Sequence, residues 1–217
     1  MNISRQVITT GALLAMFAII GTGLVAFTHE MTRERIAEEQ QKALLESLHS
    51  VIPRDIHNNE LIDDQITVTS QQYLGDKEPL PVFRARENGK PVAAILTAVA
   101  PDGYNGKIKL LIGISYNGDI YGVRVLDHRE TPGLGDAIET RRSDWIKSFD
   151  GKSLETLDQK KWHVKKDGGQ FDQLTGATIT PRAIVKAVFK ALNFYQANRD
   201  MIFNEPALTR EQTRAQS

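Results

Sequence analysis

The chain has 217 residues, no cysteine, and 27 basic against 27 acidic side chains, for a formal net charge of zero. Balanced charge leaves no electrostatic footprint for a nucleic acid, and none is expected as a partner. The missing cysteines exclude disulfides, iron–sulfur clusters, thiolate metal sites and cysteine nucleophiles, so redox work would need an organic cofactor or a metal on nitrogen and oxygen ligands.

Residues 1–6 are expected to be a short N-terminal tail. In residues 1–28 the only charged side chain is Arg5, and Val7–Thr28 is a run of 22 residues without charge, Asn, Gln or His. At about 1.5 Å per residue such a helix spans roughly 33 Å, enough for the hydrocarbon core of a bilayer. Residues 7–28 are therefore expected to be a transmembrane anchor. The competing reading is a cleaved signal peptide, whose apolar region is usually about 7–15 residues and ends at a small-residue cleavage site. This run is longer, and Leu24-Val25-Ala26 is a poor cleavage site. Orientation stays open at this level. Arg33, Arg35 and Lys42 outweigh Arg5 and the terminal amine, which favours the N-terminus outside. A short tail ahead of a large domain favours export of that domain.

Residues 29–64 are expected to be a polar helical stalk followed by a connector rich in Pro, Asn and Asp. From Gln65 the pattern alternates with period two. Ile66–Thr69 predicts a short strand. Val82–Arg86 and Val92–Val99 flank Asn88-Gly89, and a second pair flanks Asn117-Gly118 with Ile108, Leu110, Ile112 and Ile114 on one face. Both read as hairpins, the first closed by a type I′-style turn. Arg141–Phe149 predicts a short helix carrying Trp145. In Pro181–Asn198 the residues Ile184, Val185, Val188, Ala191, Leu192 and Tyr195 recur at helical spacing, with Thr180 expected as N-cap and Pro181 as the first helical residue. The fold class expected is α+β: one N-terminal transmembrane helix, then a domain at 65–203 with an antiparallel sheet and packed helices, then a flexible tail at 204–217.

Two motifs can carry chemistry. Asp172-Gln173-Leu174-Thr175-Gly176-Ala177-Thr178 stands just before the last helix, where unpaired N–H groups and the helix dipole attract a phosphate. Arg182 in the first turn offers a further charge contact. The plainer reading is simple helix capping. Glu130-Thr131-Pro132-Gly133-Leu134-Gly135 follows the second hairpin, and its two glycines allow close backbone approach to a flat ligand. The plainer reading is an ordinary loop, as it is for Gly103-Tyr104-Asn105-Gly106. His29, His49, His57, His128 and His163 show no metal-ligand spacing, and no metal site is expected. His128 adjoins the second motif, where a lone histidine is more often structural. No phosphate-binding loop, serine elbow or dinucleotide fingerprint occurs, so no catalytic residue is expected.

The first motif matches D-x-x-[ST]-G-A-[ST], and the second matches E-T-P-G-L-G. In this order, after an anchor, they resemble the covalently flavinylated FMN-binding domains along nearly the whole chain. Within that family the sequence is similar to the G subunits of Rnf (Rsx) electron-transport complexes, with the C subunits of sodium-pumping NADH:quinone reductases as the second choice. The resemblance implies FMN joined by a phosphoester to Thr178, with Thr175 the rival hydroxyl. It implies that Asp172, Gly176 and Ala177 shape the acceptor loop, and that Glu130, Thr131, Leu134 and Gly135 help bind the flavin. It further implies a flavin transferase during maturation, partner subunits in an ion-translocating complex, a bacterial inner-membrane location with the domain on the periplasmic side, and an electron relay in place of a stand-alone enzyme. A reading from another class remains, an exported binding or assembly module without redox function.

Overall fold

The computed structural model describes residues 3–208, so positions 209–217 of the expected tail lie outside the described residues. The chain divides into two compact units, Met1–Leu44 and Leu45–Ser217. The helix α1 runs Ile3–His49, and the division falls within it.

In the first unit the stretch Val7–Arg33 is long and apolar enough to cross a membrane, and none of it is buried. Ile8, Phe17, Ile19 and Val25 are all exposed. Apolar side chains on every side are what a single lipid-facing span requires. Hydroxyls in and beside the span bond back to their own helix, Thr28 Oγ1 to the carbonyl of Leu24 at 2.8 Å and Thr32 Oγ1 to that of Thr28 at 2.9 Å. This satisfies them without water. The stretch Val7–Arg33 thus has the length and composition of a single membrane span.

The second unit is built on a five-stranded antiparallel meander in the order β1-β2-β3-β4-β5. Its strands are β1 (Gln65–Val68), β2 (Leu80–Glu87), β3 (Lys90–Gly103), β4 (Gly106–Ser115) and β5 (Ile120–Asp127). A short helix, α2 (Gln71–Leu74), follows β1. Asn88 (φ 51°) and Gly89 (φ 79°) close the β2–β3 hairpin. Two successive positive φ angles are the type I′ geometry, whose twist matches that of the strands it joins. The short helix expected over residues 141–149 is shorter still. Only Trp145–Phe149 is helical, as a 3-10 turn, which buries Trp145, Ile146 and Phe149.

Both faces of the sheet are covered. The side chains of Ile108, Leu110, Ile112 and Ile114 join the cluster formed with α3 (Ile179–Asn204). On the opposite face Leu111 is fully buried. Gly113 and Gly122 pair across β4 and β5, and Val51 lies against both: a β-carbon on Gly113 would meet its carbonyl oxygen at 2.1 Å. Leu48, Val51, Ile52 and Leu61 are buried. The segment expected as stalk and connector up to residue 64 is therefore part of the folded unit from Leu45 onward, because two facing glycines leave a flat depression in which backbone can seat.

Two boundaries of α3 also differ from expectation. It begins at Ile179, with Thr178 as N-cap. Thr180 is fully buried and donates its hydroxyl to Glu130, so it is no cap. Pro181 sits at the third helical position, where an α-helix has no use for its N–H. At the other end Arg84, 2% exposed, pairs with Asp64 and donates to the carbonyls of Ile202 (3.0 Å) and Glu205 (2.5 Å). A cation there complements the carbonyl end of the helix. The N–H of Leu208 donates to the carbonyl of Gln65, so residues 205–208 are tied to the sheet where the tail was expected to begin.

Candidate functional site

The loop after β5 is shaped by its own backbone. The N–H groups of Leu134 and Gly135 both donate to the carbonyl of Thr131, with Gly133 at φ 78°. The turn exposes Leu134, 44% accessible. Glu130 is buried and joins three segments. It accepts the N–H of Asn105 from the β3–β4 turn at 3.0 Å and the hydroxyl of Thr180 from α3. Its own N–H donates to His128 Nδ1 at 3.0 Å. Asn105 also donates its side-chain amide to Thr131 Oγ1 at 3.1 Å. A β-carbon on Gly135 would come within 2.9 Å of Glu130, so the glycine lets the carboxylate lie directly under the loop.

The second motif is a tight turn. The N–H of Ala177 donates to the carbonyl of Leu174, and Gly176 has φ 78°. Leu174 is buried, and the indole of Trp145 holds the carbonyl of Asp172 at 2.7 Å. Thr178 follows as the N-cap of α3 at the rim of the turn, and its side chain makes no capping bond. The N–H groups of Thr178, Ile179 and Thr180 are the donors that open a helix unpaired.

Between the two motifs lies a cavity of about 290 Å³, lined by Glu130, Thr131, Leu134 and Gly135, by residues 176–180, and by Tyr104. Seven residues singled out from sequence thus line one cavity: Glu130, Thr131, Leu134, Gly135, Gly176, Ala177 and Thr178. Asp172 and Thr175 are not brought to it. The carboxylate of Asp172 is exposed and pairs with Lys165 at 2.6 Å, and Thr175 is exposed at the tip of the turn that Gly176 forms. Arg182 does not face the cavity as a free charge. It makes a two-pronged pair with Asp167, at 2.6 and 2.7 Å, which holds the Asp167 carboxyl below its usual range. Ile179 and Thr180 line the cavity although sequence reasoning did not count them as site residues. Tyr104, weighed first as a turn residue, lines it too. Glycines on both sides of the Tyr104-Asn105 pair were the available signal.

The site suits a phosphate ester carrying a flat ring. It offers a free hydroxyl, a helix N-terminus for one negative charge, and apolar surface from Tyr104, Leu134 and Ile179. Glu130 is the only charged side chain in its lining, and both its oxygens are engaged by protein donors.

Residues 103–193 match the family model of the FMN-binding domain, a span that contains every cavity-lining residue. Residues 1–51 match the RnfG N-terminal region. Three relatives are each named as the G subunit of an ion-translocating oxidoreductase complex. The protein from Shewanella loihica is 48% identical over 203 residues, 94% of this chain and 96% of its own length. That from Pseudoalteromonas atlantica is 47% identical over 98% of this chain and 99% of its own length. That from Vibrio cholerae is 47% identical over 90% and 93%.

Proposed function

Because this chain belongs to the family of G subunits of ion-translocating oxidoreductase complexes, we propose that it is a membrane-anchored flavoprotein relaying electrons within such a complex, with FMN esterified to Thr178. The observation that carries the reading is the uncapped Thr178 hydroxyl at the mouth of α3, facing the E-T-P-G-L-G loop across one cavity.

The chain's own residues would act as follows. Thr178 Oγ supplies the oxygen of the ester. With FAD as donor, esterification would join this oxygen to the flavin-side phosphorus, break the P–O–P bond, and release AMP and the hydroxyl proton. A flavin transferase is the partner for this step. The N–H groups of Thr178, Ile179 and Thr180 hold the remaining phosphate charge. Tyr104, Leu134 and Ile179 keep water from one side of a ring, while Gly135 leaves room for Glu130 and Gly176 for Leu134. Thr131 and Ala177 complete the walls. Glu130 fixes the loop from beneath, and Asp172 and Thr175 shape the acceptor turn from outside the cavity. FMN held there would supply one- and two-electron exchange. The apolar span keeps the relay beside its partner subunits, and a covalent link keeps the flavin from loss. Both fit a domain on the periplasmic face of a bacterial inner membrane, as the family resemblance implies, with 45–203 as the flavin domain.

The test is the intact mass of the protein from membranes of a host with an active flavin transferase. Esterified FMN adds about 440 Da, and peptide mapping should place it on Thr178. An unmodified mass, with a control protein modified in the same host, would favour the binding-module reading. Modification of Thr175 would move the attachment point. Protease accessibility in spheroplasts tests the side.

A further inference from the structure

His128 makes two bonds that fix the state of its ring. Nδ1 lies 3.0 Å from the backbone nitrogen of Glu130. A peptide N–H only donates, so Nδ1 is the acceptor and, by this bonding, the ring proton belongs on Nε2. Nε2 lies 2.7 Å from Glu139 Oε1 and donates to it, while Glu139 is also paired with Arg141. The ring is 12% exposed. Beyond Glu130 the contacts continue through its carboxylate to the hydroxyl of Thr180 and the N–H of Asn105. One chain of bonds therefore runs from Arg141 at the surface, through Glu139, His128 and Glu130, to the first turn of α3.

We propose that His128 is a positioning residue for the flavin site, holding Glu130 so that its carboxylate locks the opening of α3 and the β3–β4 turn against the E-T-P-G-L-G loop. His128 does not line the cavity, so it acts through Glu130. The bond from its side chain to the N–H two residues on is the one that Asn or Asp makes in an Asx turn. The imidazole adds a donor at its far end, which reaches a carboxylate eleven residues away on another segment. Held in this way, the backbone of Glu130 cannot turn without unpairing polar groups around its buried side chain. The inference rests on the reading that Thr178 carries the flavin.

Full-length wild type, His128→Asn and His128→Ala, made in membranes of a host with an active flavin transferase, distinguish the possibilities. Asn keeps an acceptor for the Glu130 N–H but does not reach Glu139, and Ala keeps neither. The readouts are the added mass, the visible circular dichroism of the flavin bands, and iodide quenching of flavin fluorescence. All three proteins should carry the mass. His128→Asn, which loses only the bond to Glu139, should lie closer to wild type than to His128→Ala in both optical measurements. His128→Ala should show altered dichroism and about a fivefold higher quenching constant, the effect of one net hydrogen bond on a local opening. His128→Ala indistinguishable from wild type, or His128→Asn altered as much as His128→Ala, overturns the proposal alone. An unmodified wild type overturns the attachment reading and this proposal with it. Should His128→Ala not accumulate folded, His128→Gln replaces it under the same criteria, since its amide reaches toward Glu139 and leaves the Glu130 N–H without its acceptor.

Discussion

A β-carbon on Gly176 would lie 2.7 Å from Cδ2 of Leu134, so the two motifs touch across the mouth of the cavity. Gly176 and Gly133 share a φ of 78°, but a β-carbon on Gly133 would meet nothing within 4 Å. Replacing either by Ala forces an L-residue into the left-handed region at about 1–2 kcal/mol. Both variants should therefore lose similar stability in urea unfolding. Only Gly176→Ala also displaces Leu134, so it alone should change the visible dichroism of the bound flavin. Equal flavin spectra in the two variants would remove Leu134 from the flavin's surroundings.

Thr180→Val keeps the shape of a fully buried side chain and deletes its donor. Glu130, 5% exposed, then loses one partner of a buried carboxylate. The cost of leaving such a group short of a hydrogen bond is about 2 kcal/mol. Thr180→Ser, which keeps the hydroxyl, should recover most of it. A Val variant as stable as wild type would show that the Glu130–Thr180 bond carries no net stability.

The hairpins and α3 were legible because their signals are local. Period-two alternation with Asn-Gly turns, and three- and four-residue spacing, each follow from one element's geometry. The burial of residues 45–64 was not legible. Leu48, Val51 and Ile52 keep three- and four-residue spacing, but nothing local says what they bury against: Val51 lies on Gly113 and Gly122, more than sixty residues later. Paired glycines inside strands were the available sign of close backbone approach. At the site both motifs could be read as motifs, since their glycines and hydroxyls are clustered. The part of His128 could not, because its partners are a peptide N–H and a carboxylate on another segment. Thr180 misled because a hydroxyl before a proline reads as a cap, whereas a buried carboxylate fifty residues earlier claims it.

Gly113→Ala tests the seating of that segment. The added carbon would meet the carbonyl oxygen of Val51 at 2.1 Å, a backbone atom with no rotamer to relieve it. The expected loss is about 3 kcal/mol, with faster hydrogen exchange in residues 48–61 than in α3. Gly122→Ala, where Val51 Cα would stand 3.3 Å away, should lose less. A reversed order would mean that residues 45–64 do not bear on this face in solution.

Glu139 gives the acid limb of stability a specific origin. The hydrogen bond from Arg141, and after it that from His128, lower its carboxyl from the usual 4.5 to about 2. A carboxyl depressed on folding stabilises the protein above its unfolded pKa, and the contribution fades as pH falls through the folded value. Its share is thus complete above about pH 4.5 and lost toward pH 2. Other carboxylates, Asp76 and Asp167 among them, are lowered too, so the readout is a difference. Urea midpoints of wild type and Glu139→Gln, measured from pH 7 to pH 2, should be furthest apart above pH 4.5 and converge below it. Parallel curves would mean that the Glu139 carboxylate gains nothing from Arg141 and His128 on folding. The outer end of the chain of bonds that reaches Thr180 would then be a surface contact only.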